Sequence, residues 1–289
     1  MMRKMKRVVI VVLSSALFLL DWFRGLLRRA IGASGPPMCV VLFYHSIPFA
    51  QRGRFAEQMD ILLRHAQPIA AGGTLELTDG VRYAAVTFDD GFESVAENAV
   101  PILRKRGIFA TIFVVTEFLG KVAGWHHFGT YSNGNERLMG VEELSMLPAD
   151  IISIGSHTMT HPVLTSLNGH AAKAEIYESR LKLQAMLQKD ITLFSFPYGA
   201  FNADLVAWCR EAGYTRVFTI LPTPALPNAK GYVTGRVSVE PTDWKLEFRL
   251  KLMGAYRWLP LAFAAKKKMI EKFGALKRFS SYSNASGAC

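Results

Sequence analysis

The sequence predicts an α/β fold built on a parallel sheet, and three observations predict it. Short, continuous apolar runs recur along the chain, as strands buried on both faces require. Helical patterns alternate with those runs, the order that winds a parallel sheet. One run, Ala84 to Phe88, breaks abruptly at Asp89-Asp90-Gly91, so a strand delivers paired carboxylates to the end of the sheet, where open α/β folds place their sites. At 289 residues the chain is long enough for one large core, and a single α/β barrel of that size is ordinary.

Arg3, Lys4, Lys6 and Arg7 precede an uncharged run from Val8 to Leu20, which Asp21, Arg24, Arg28 and Arg29 follow. The run suits a signal-peptide core but falls short of the roughly 20 residues that cross a bilayer. Extending it to Leu27 reaches that length only by taking in Asp21 and Arg24. No small-x-small cleavage site follows Leu20, so residues 1–34 read as an uncleaved anchor, spanning the membrane or lying in its interface. Basic residues on both flanks leave its orientation open.

Gly32 to Pro37 is a linker by composition. Met38 to Tyr44 reads as a buried strand ending at His45, and Phe55, Met59, Leu62, Leu63 and Ala66 share one face of a helix. Gly72 and Gly73 turn the chain towards the acidic strand at 84–88. Val95 to Lys105 is helical in pattern, and Ile108 to Val115 is a second apolar strand. Residues 120–140 form a long polar loop whose Trp125, Phe128 and Tyr131 suit stacking on sugars or packing on the barrel. Val141 to Leu147 is a short helix, Ile151 to Ile154 a strand, and Ala171 to Gln188 the clearest amphipathic helix. Thr192 to Phe196, Ala203 to Glu211 and Thr215 to Ile220 follow as strand, helix and strand. Pro222, Pro224 and Pro227 mark a loop before a last strand, Tyr232 to Val239. This organisation gives an anchor at 1–34, a catalytic-type domain at 38–243 and a basic amphipathic extension at 244–289.

Net charge is +11, which points to an anionic neighbour. No arginine-rich or aromatic-basic module for nucleic acid is present, and much of the positive charge sits beside apolar segments. The tail carries Lys266, Lys267, Lys268, Lys272, Lys277 and Arg278 among aromatic and aliphatic residues, the pattern of a helix seated on anionic lipid or of a solvated basic helix end. A membrane surface is therefore the expected neighbour, and nothing in the sequence calls for nucleic acid or a protein partner. Cys39, Cys209 and Cys289 have no metal-like spacing, and the first two read as buried free thiols.

Two adjacent aspartates both stay ionised only beside positive charge, and a divalent metal is the simplest source. Its other ligands lie downstream: Gly155-Ser156-His157-Thr158-Met159-Thr160-His161-Pro162 follows the 151–154 strand. Histidines four apart fall on one side of a helical turn, so both imidazoles reach one ion. One carboxylate and two histidines leave a coordination position for water, the catalytic arrangement.

These segments resemble the polysaccharide deacetylases (NodB homology, carbohydrate esterase family four). Thr87-Phe88-Asp89-Asp90-Gly91 is similar to their first motif, Ser156 to His161 to their second and Phe194-Ser195-Phe196-Pro197-Tyr198-Gly199 to their third. The resemblance covers about residues 38–240 and implies a distorted (β/α) barrel that hydrolyses N-acetyl groups on sugars. It implies Asp90, His157 and His161 as metal ligands, Asp89 as general base and the Tyr198 backbone N–H as an oxyanion donor. Zinc, cobalt and nickel all suit those ligands, and zinc is the first expectation. The chain departs from the family pattern twice. Ser195 stands where many members carry an arginine that tethers the catalytic aspartate, and Arg236, after the next-to-last predicted turn, is a candidate to replace it. No histidine follows His170, so the usual C-terminal acid is missing. Leu42-Phe43-Tyr44-His45 instead resembles the permuted branch that includes poly-N-acetylglucosamine deacetylases, which implies His45 as general acid. His126 and His127 are candidate substrate contacts, and His65 and His170 are surface or helix-end residues.

The sequence thus implies a membrane-associated, metal-dependent N-deacetylase acting on a polysaccharide or lipid-linked glycan, at the inner or cytoplasmic membrane of a bacterium. Two other readings use the same residues: a non-catalytic glycan-binding module, and a two-histidine-one-carboxylate iron oxygenase. The complete set of Asp89, Asp90, His157 and His161 argues against the first, and the idle base Asp89 against the second.

Overall fold

A computed structural model describes residues 2–73, 77–125, 136–223 and 231–265. Its centre is a nine-stranded, all-parallel sheet with strand order β8-β7-β6-β5-β4-β3-β1-β9 and β2 added on β3. The strands are β1 (Met38–Tyr44), β2 (Gln67–Pro68), β3 (Arg82–Phe88), β4 (Ala110–Val114), β5 (Ile152–Ser156), β6 (Leu193–Ser195), β7 (Arg216–Thr219), β8 (Val233–Gly235) and β9 (Val237–Ser238). Helices α2 (Arg52–His65), α3 (Val100–Arg106), α4 (Val141–Met146), α5 (Gly169–Leu187) and α6 (Ala203–Glu211) lie between strands, and α7 (Lys245–Leu252) follows the last. Helix α1 (Met2–Ala30) precedes the sheet.

Alternation along each strand builds two apolar layers. On β1, Val40, Leu42 and Tyr44 join the large cluster beneath the helices, whereas Cys39 and Val41 join a smaller cluster with Tyr83, Ala85, Phe113, Leu193 and Phe218 inside the sheet's curve. Both faces are buried, which explains why the strands read as unbroken apolar runs. The elements follow the expected order, and β1 and α6 keep their expected bounds. Helix α5 shows why it was legible: Ala172, Ile176, Ser179, Leu183 and Leu187 make one buried stripe, and Asn168 caps its first turn by accepting from Ala171 N at 2.9 Å. Cys39 and Cys209 are buried free thiols as expected.

Two expectations change. The helix from Val95 begins as a π-helical turn over Val95–Ala99 and becomes α3 only at Val100. The last strand is not continuous: β8 pairs with β7 at one edge of the sheet, and β9 pairs with β1 at the other. Only Arg236 separates them, so the backbone crosses the nearly closed barrel's seam at this residue. Periodicity could not show that break, because both halves carry the same alternating pattern.

Candidate active site

The odd-numbered positions of β3 face the inside of the barrel, and Asp89 continues that parity just past the strand's end. Its backbone N–H donates to Tyr44 O at 2.9 Å, which extends the β1–β3 register by one residue. Asp90 then enters the left-handed region at φ 70°, followed by Gly91 at φ 81°. A Cβ on Gly91 would lie 2.7 Å from Val114 Cγ1, so only glycine lets the turn settle against β4. By this turn both carboxylates reach the same space.

The two histidines arrive differently from expectation. Residues 157–161 are a loop after β5, not a helical turn. Thr158 (φ 72°) and His161 (φ 62°) are both left-handed, and this double reversal, rather than helical spacing, brings the rings together. The turn is tied from several sides. His161 N donates to Thr158 Oγ1 at 3.0 Å, and Thr116 N donates to Thr158 O at 3.2 Å. Buried Glu175 of α5 accepts from Met159 N at 2.8 Å, Thr160 N at 2.9 Å and Thr160 Oγ1 at 2.6 Å. Glu175 was not among the sequence candidates, since it reads as one more acid on a charged helix. Tyr198 is a further left-handed residue at φ 57°. Asp90, Thr158, His161 and Tyr198 thus place strained backbone at a single locus, a cost usually found at functional sites.

Asp90, His157 and His161 each offer one ligand atom, and these atoms lie within 4.8 Å of one another, all three residues buried. His161 Nε2 is 3.3 Å from Asp90 Oδ1 and His157 Nε2 is 3.9 Å from it. Donors around one tetrahedral ion with bonds of about 2.1 Å stand about 3.4 Å apart, so the spacing fits a single cation. His157 Nδ1 is 2.7 Å from Ser195 O, and because a carbonyl only accepts, Nδ1 carries the proton and Nε2 keeps its lone pair towards Asp90. Burial lowers the His157 pKa to about 4 against the opposing pull of Asp89, so the ring is a neutral donor at physiological pH.

Asp89 has a different partner. Arg236, fully buried, donates from Nη1 to Asp89 Oδ1 and from Nη2 to Asp89 Oδ2, both at 2.7 Å. The same guanidinium reaches Ser195 Oγ at 2.8 Å and Thr87 Oγ1 at 3.1 Å, and it lies 4.6 Å from the Phe43 ring centroid. Arg236 therefore stands beside Ser195 and grips the aspartate. The positive charge that adjacent carboxylates demand is supplied here by a side chain.

The environments of the two acids diverge. Burial alone would raise the Asp89 carboxyl, but the Arg236 charge and hydrogen bonds outweigh it and hold the group far below the usual carboxylate range. Asp90 is raised well above that range by burial and by the Asp89 charge, a shift that a bound cation would reverse.

Asp89, His157 and His161 form the inner wall of a cleft of about 970 Å³, which Phe43, His45, Tyr198, Ile220, Val237 and Glu240 also line. His45 is exposed at that cleft directly after β1, with its ring edge-on to Phe43 at 5.7 Å. The surrounding walls lower its pKa, Asp89 opposing. Tyr198 sets its ring edge-on to His161 at 4.8 Å. Trp125 stacks on His161 at 4.4 Å and meets Phe118 edge-on at 4.8 Å, so it packs on the site itself rather than standing clear for a sugar. His126, His127, Phe128, Tyr131, Pro224, Pro227, Cys289 and the basic set from Lys266 to Arg278 lie outside the described residues.

The chain is similar to known proteins over part of its length. Residues 77–217 match the family model described as polysaccharide deacetylase. A Bacillus subtilis protein, YxkH, provisionally named a polysaccharide deacetylase, is 30% identical over 156 residues, 54% of this chain and 51% of its own. A poly-β-1,6-N-acetyl-D-glucosamine N-deacetylase of Staphylococcus aureus is 25% identical over 157 residues, 53% of either chain. This chain thus spans about half the length of the curated relatives it matches. Among solved structures, IcaB from Ammonifex degensii superposes with a TM-score of 0.63 at 24% identity, covering 75% of this chain and 98% of that one. That likeness shows the fold.

Proposed function

We propose that this chain, whose residues 77–217 match the polysaccharide deacetylase family model, hydrolyses N-acetyl groups on the sugars of a glycan. The observation that carries the reading is the pairing of two adjacent acids in opposite environments. Asp89 is held anionic by Arg236 on the wall of a sugar-sized cleft, and Asp90 stands behind it against His157 and His161, which line the same cleft. In this reading residues 38–243 are the catalytic unit, flanked by an apolar N-terminal segment and a basic C-terminal one at a bacterial membrane.

Asp90, His157 and His161 would hold a divalent cation, for which zinc, cobalt and nickel all suit. When bound, such an ion polarises an acetamide carbonyl and lowers the pKa of water towards neutrality. Asp89 accepts the proton of the attacking water, its free lone pairs remaining available beside the two that Arg236 occupies. The Tyr198 backbone N–H stabilises the oxygen that gains negative charge. His45, at the cleft, protonates the departing amine, without which an amide cannot expel its nitrogen.

The test is acetate release from N-acetylated glycans, with the β-1,6-linked N-acetylglucosamine polymer named for the Staphylococcus aureus relative as the first substrate. Chelator abolishes release and zinc or cobalt restores it. Release that is indifferent to chelator, or glycan binding without acetate, overturns the proposal. His45→Ala slows turnover by about 10²–10⁴-fold, the usual worth of a positioned acid, with metal occupancy unchanged. Equal loss of both would remove His45 from the acid role. Glu175→Ala lowers metal affinity by about 10–100-fold in calorimetric titration, as loss of an outer partner of a ligand does, because the 157–161 turn loses three hydrogen bonds at once. Unchanged affinity would mean that the remaining ties suffice.

A further inference from the structure

Helix α1 does not stand apart from the barrel. One face docks on α7 and the residues after it through specific contacts. Arg7 Nε donates to Glu247 Oε2 at 2.7 Å, Trp258 Nε1 donates to Ser14 Oγ at 3.0 Å, and Arg257 Nη2 donates to Asp21 Oδ1 at 2.8 Å. Val11 is buried with Leu250, Ala255 and Tyr256, and Ile10, Phe18 and Leu259 pack around them. Arg7, Val11, Ser14, Phe18 and Asp21 recur at helical spacing, so the contact runs along four turns.

The opposite face is apolar, and none of the described residues covers it. Met5, Val9, Val12, Leu20, Phe23 and Leu27 fall on one arc at 100° per residue, and each keeps more than half its surface exposed. That arc contains no charged residue between Met5 and Leu27. Exposed Lys6 stands near one end of the helix, and exposed Arg24, Arg28 and Arg29 at the other. A spanning helix would carry Arg7 and Asp21, with the partners that hold them, Glu247 of α7 and Arg257 beyond it, towards the hydrocarbon. A helix lying in the interface keeps the docked face on protein, sinks the apolar face among acyl chains and leaves its basic ends at anionic headgroups. The same helix reaches the active site: Lys6, Arg7 and Ile10 line the cleft that contains Asp89, His157 and His161.

We infer that α1 lies in the plane of an anionic membrane leaflet, docked on the barrel, and seats the cleft on that surface. On the deacetylase reading, which this last step requires, the cleft takes its N-acetylated glycan from the membrane surface, as a lipid-attached sugar, rather than from bulk solution.

The experiment uses the full chain and vesicles of phosphatidylcholine with or without phosphatidylglycerol. Wild type co-sediments with the anionic vesicles, more weakly with neutral ones, and V12D/L20D, altered only on the outer face, loses at least tenfold in affinity. D21C/R257C, joined by a short thiol cross-linker, still binds, because the docked helix is the bound form. Vesicle binding unaffected by V12D/L20D, or binding abolished by the cross-link, overturns the inference. Acetate release is then compared between a glycolipid held in vesicles and its glycan free in solution. Wild type prefers the vesicle-held form at least tenfold, and V12D/L20D loses that preference while turning over free glycan at the wild-type rate. Equal rates on both forms by wild type overturn membrane delivery, whereas no release from either by any variant defeats the deacetylase reading and leaves the binding result standing.

Discussion

Replacing Arg236 by alanine destabilises the chain by about 3–5 kcal/mol, the cost of leaving one member of a buried ion pair without the other, and ends acetate release. Arg236 is wholly buried where β8 passes into β9, and its guanidinium makes both hydrogen bonds to Asp89 and further ones to Ser195 and Thr87. Deleting it strands the Asp89 charge next to Asp90 and empties a space bounded by Phe43, Phe113 and Phe218. Arg236→Lys recovers little, because a single ammonium cannot meet both carboxylate oxygens in a planar fork. The pH profile gives the sign. Asp89 has a lower pKa folded than unfolded, so its contribution to stability is complete above the unfolded value of about 4. It is withdrawn as pH falls below that towards the folded value. Urea melts of the metal-free chain therefore show an acid limb that is flatter in Arg236→Ala than in wild type. A limb of equal steepness, or a stability loss under 1 kcal/mol, would show that the pair does not hold the seam.

How much of this was legible beforehand depends on whether a feature is local. The strands around Val40, Val86 and Ile112 announced themselves because burial on both faces leaves no room for polar residues. Asp89-Asp90-Gly91 was visible for the complementary reason, as charge where the apolar pattern stops. Three contributions were visible in part or not at all. Arg236 could be named as a candidate for the missing motif arginine, but it lies 147 residues from Asp89 in an ordinary alternating run, so its two-pronged grip on the carboxylate and its place at the seam could not be read. Glu175 acts through a loop from which 15 or 16 residues separate it. The histidine turn kept its spacing but not its conformation, since left-handed Thr158 and His161 obey no propensity that a side-chain pattern records. Helix α1 was half legible: its apolar length suggested a membrane, but docking of Ser14 and Asp21 on Trp258 and Arg257 depends on residues far along the chain.

Asp89→Asn lowers acetate release by at least about 10³-fold, since it removes a general base and with it the charge that draws a proton from water. Metal affinity changes less than tenfold, because Asp90, His157 and His161 keep their places. The obvious confusion is misfolding, for the substitution leaves Arg236 buried opposite a neutral amide. A second variant separates the two causes. In Asp89→Asn with Arg236→Gln both charges are gone, and the amides still have Ser195 and Thr87 as partners. Replacing both members of a buried pair is far milder than removing one, so the double variant melts above the single Asp89→Asn. It binds metal and remains as inactive as the single variant. Recovery of turnover in the double variant would mean that Asp89 matters only as the partner of Arg236, and the base would have to be sought elsewhere in the cleft. A tenfold or greater loss of metal affinity in Asp89→Asn would instead make Asp89 a ligand, with Asp90 free to take the proton.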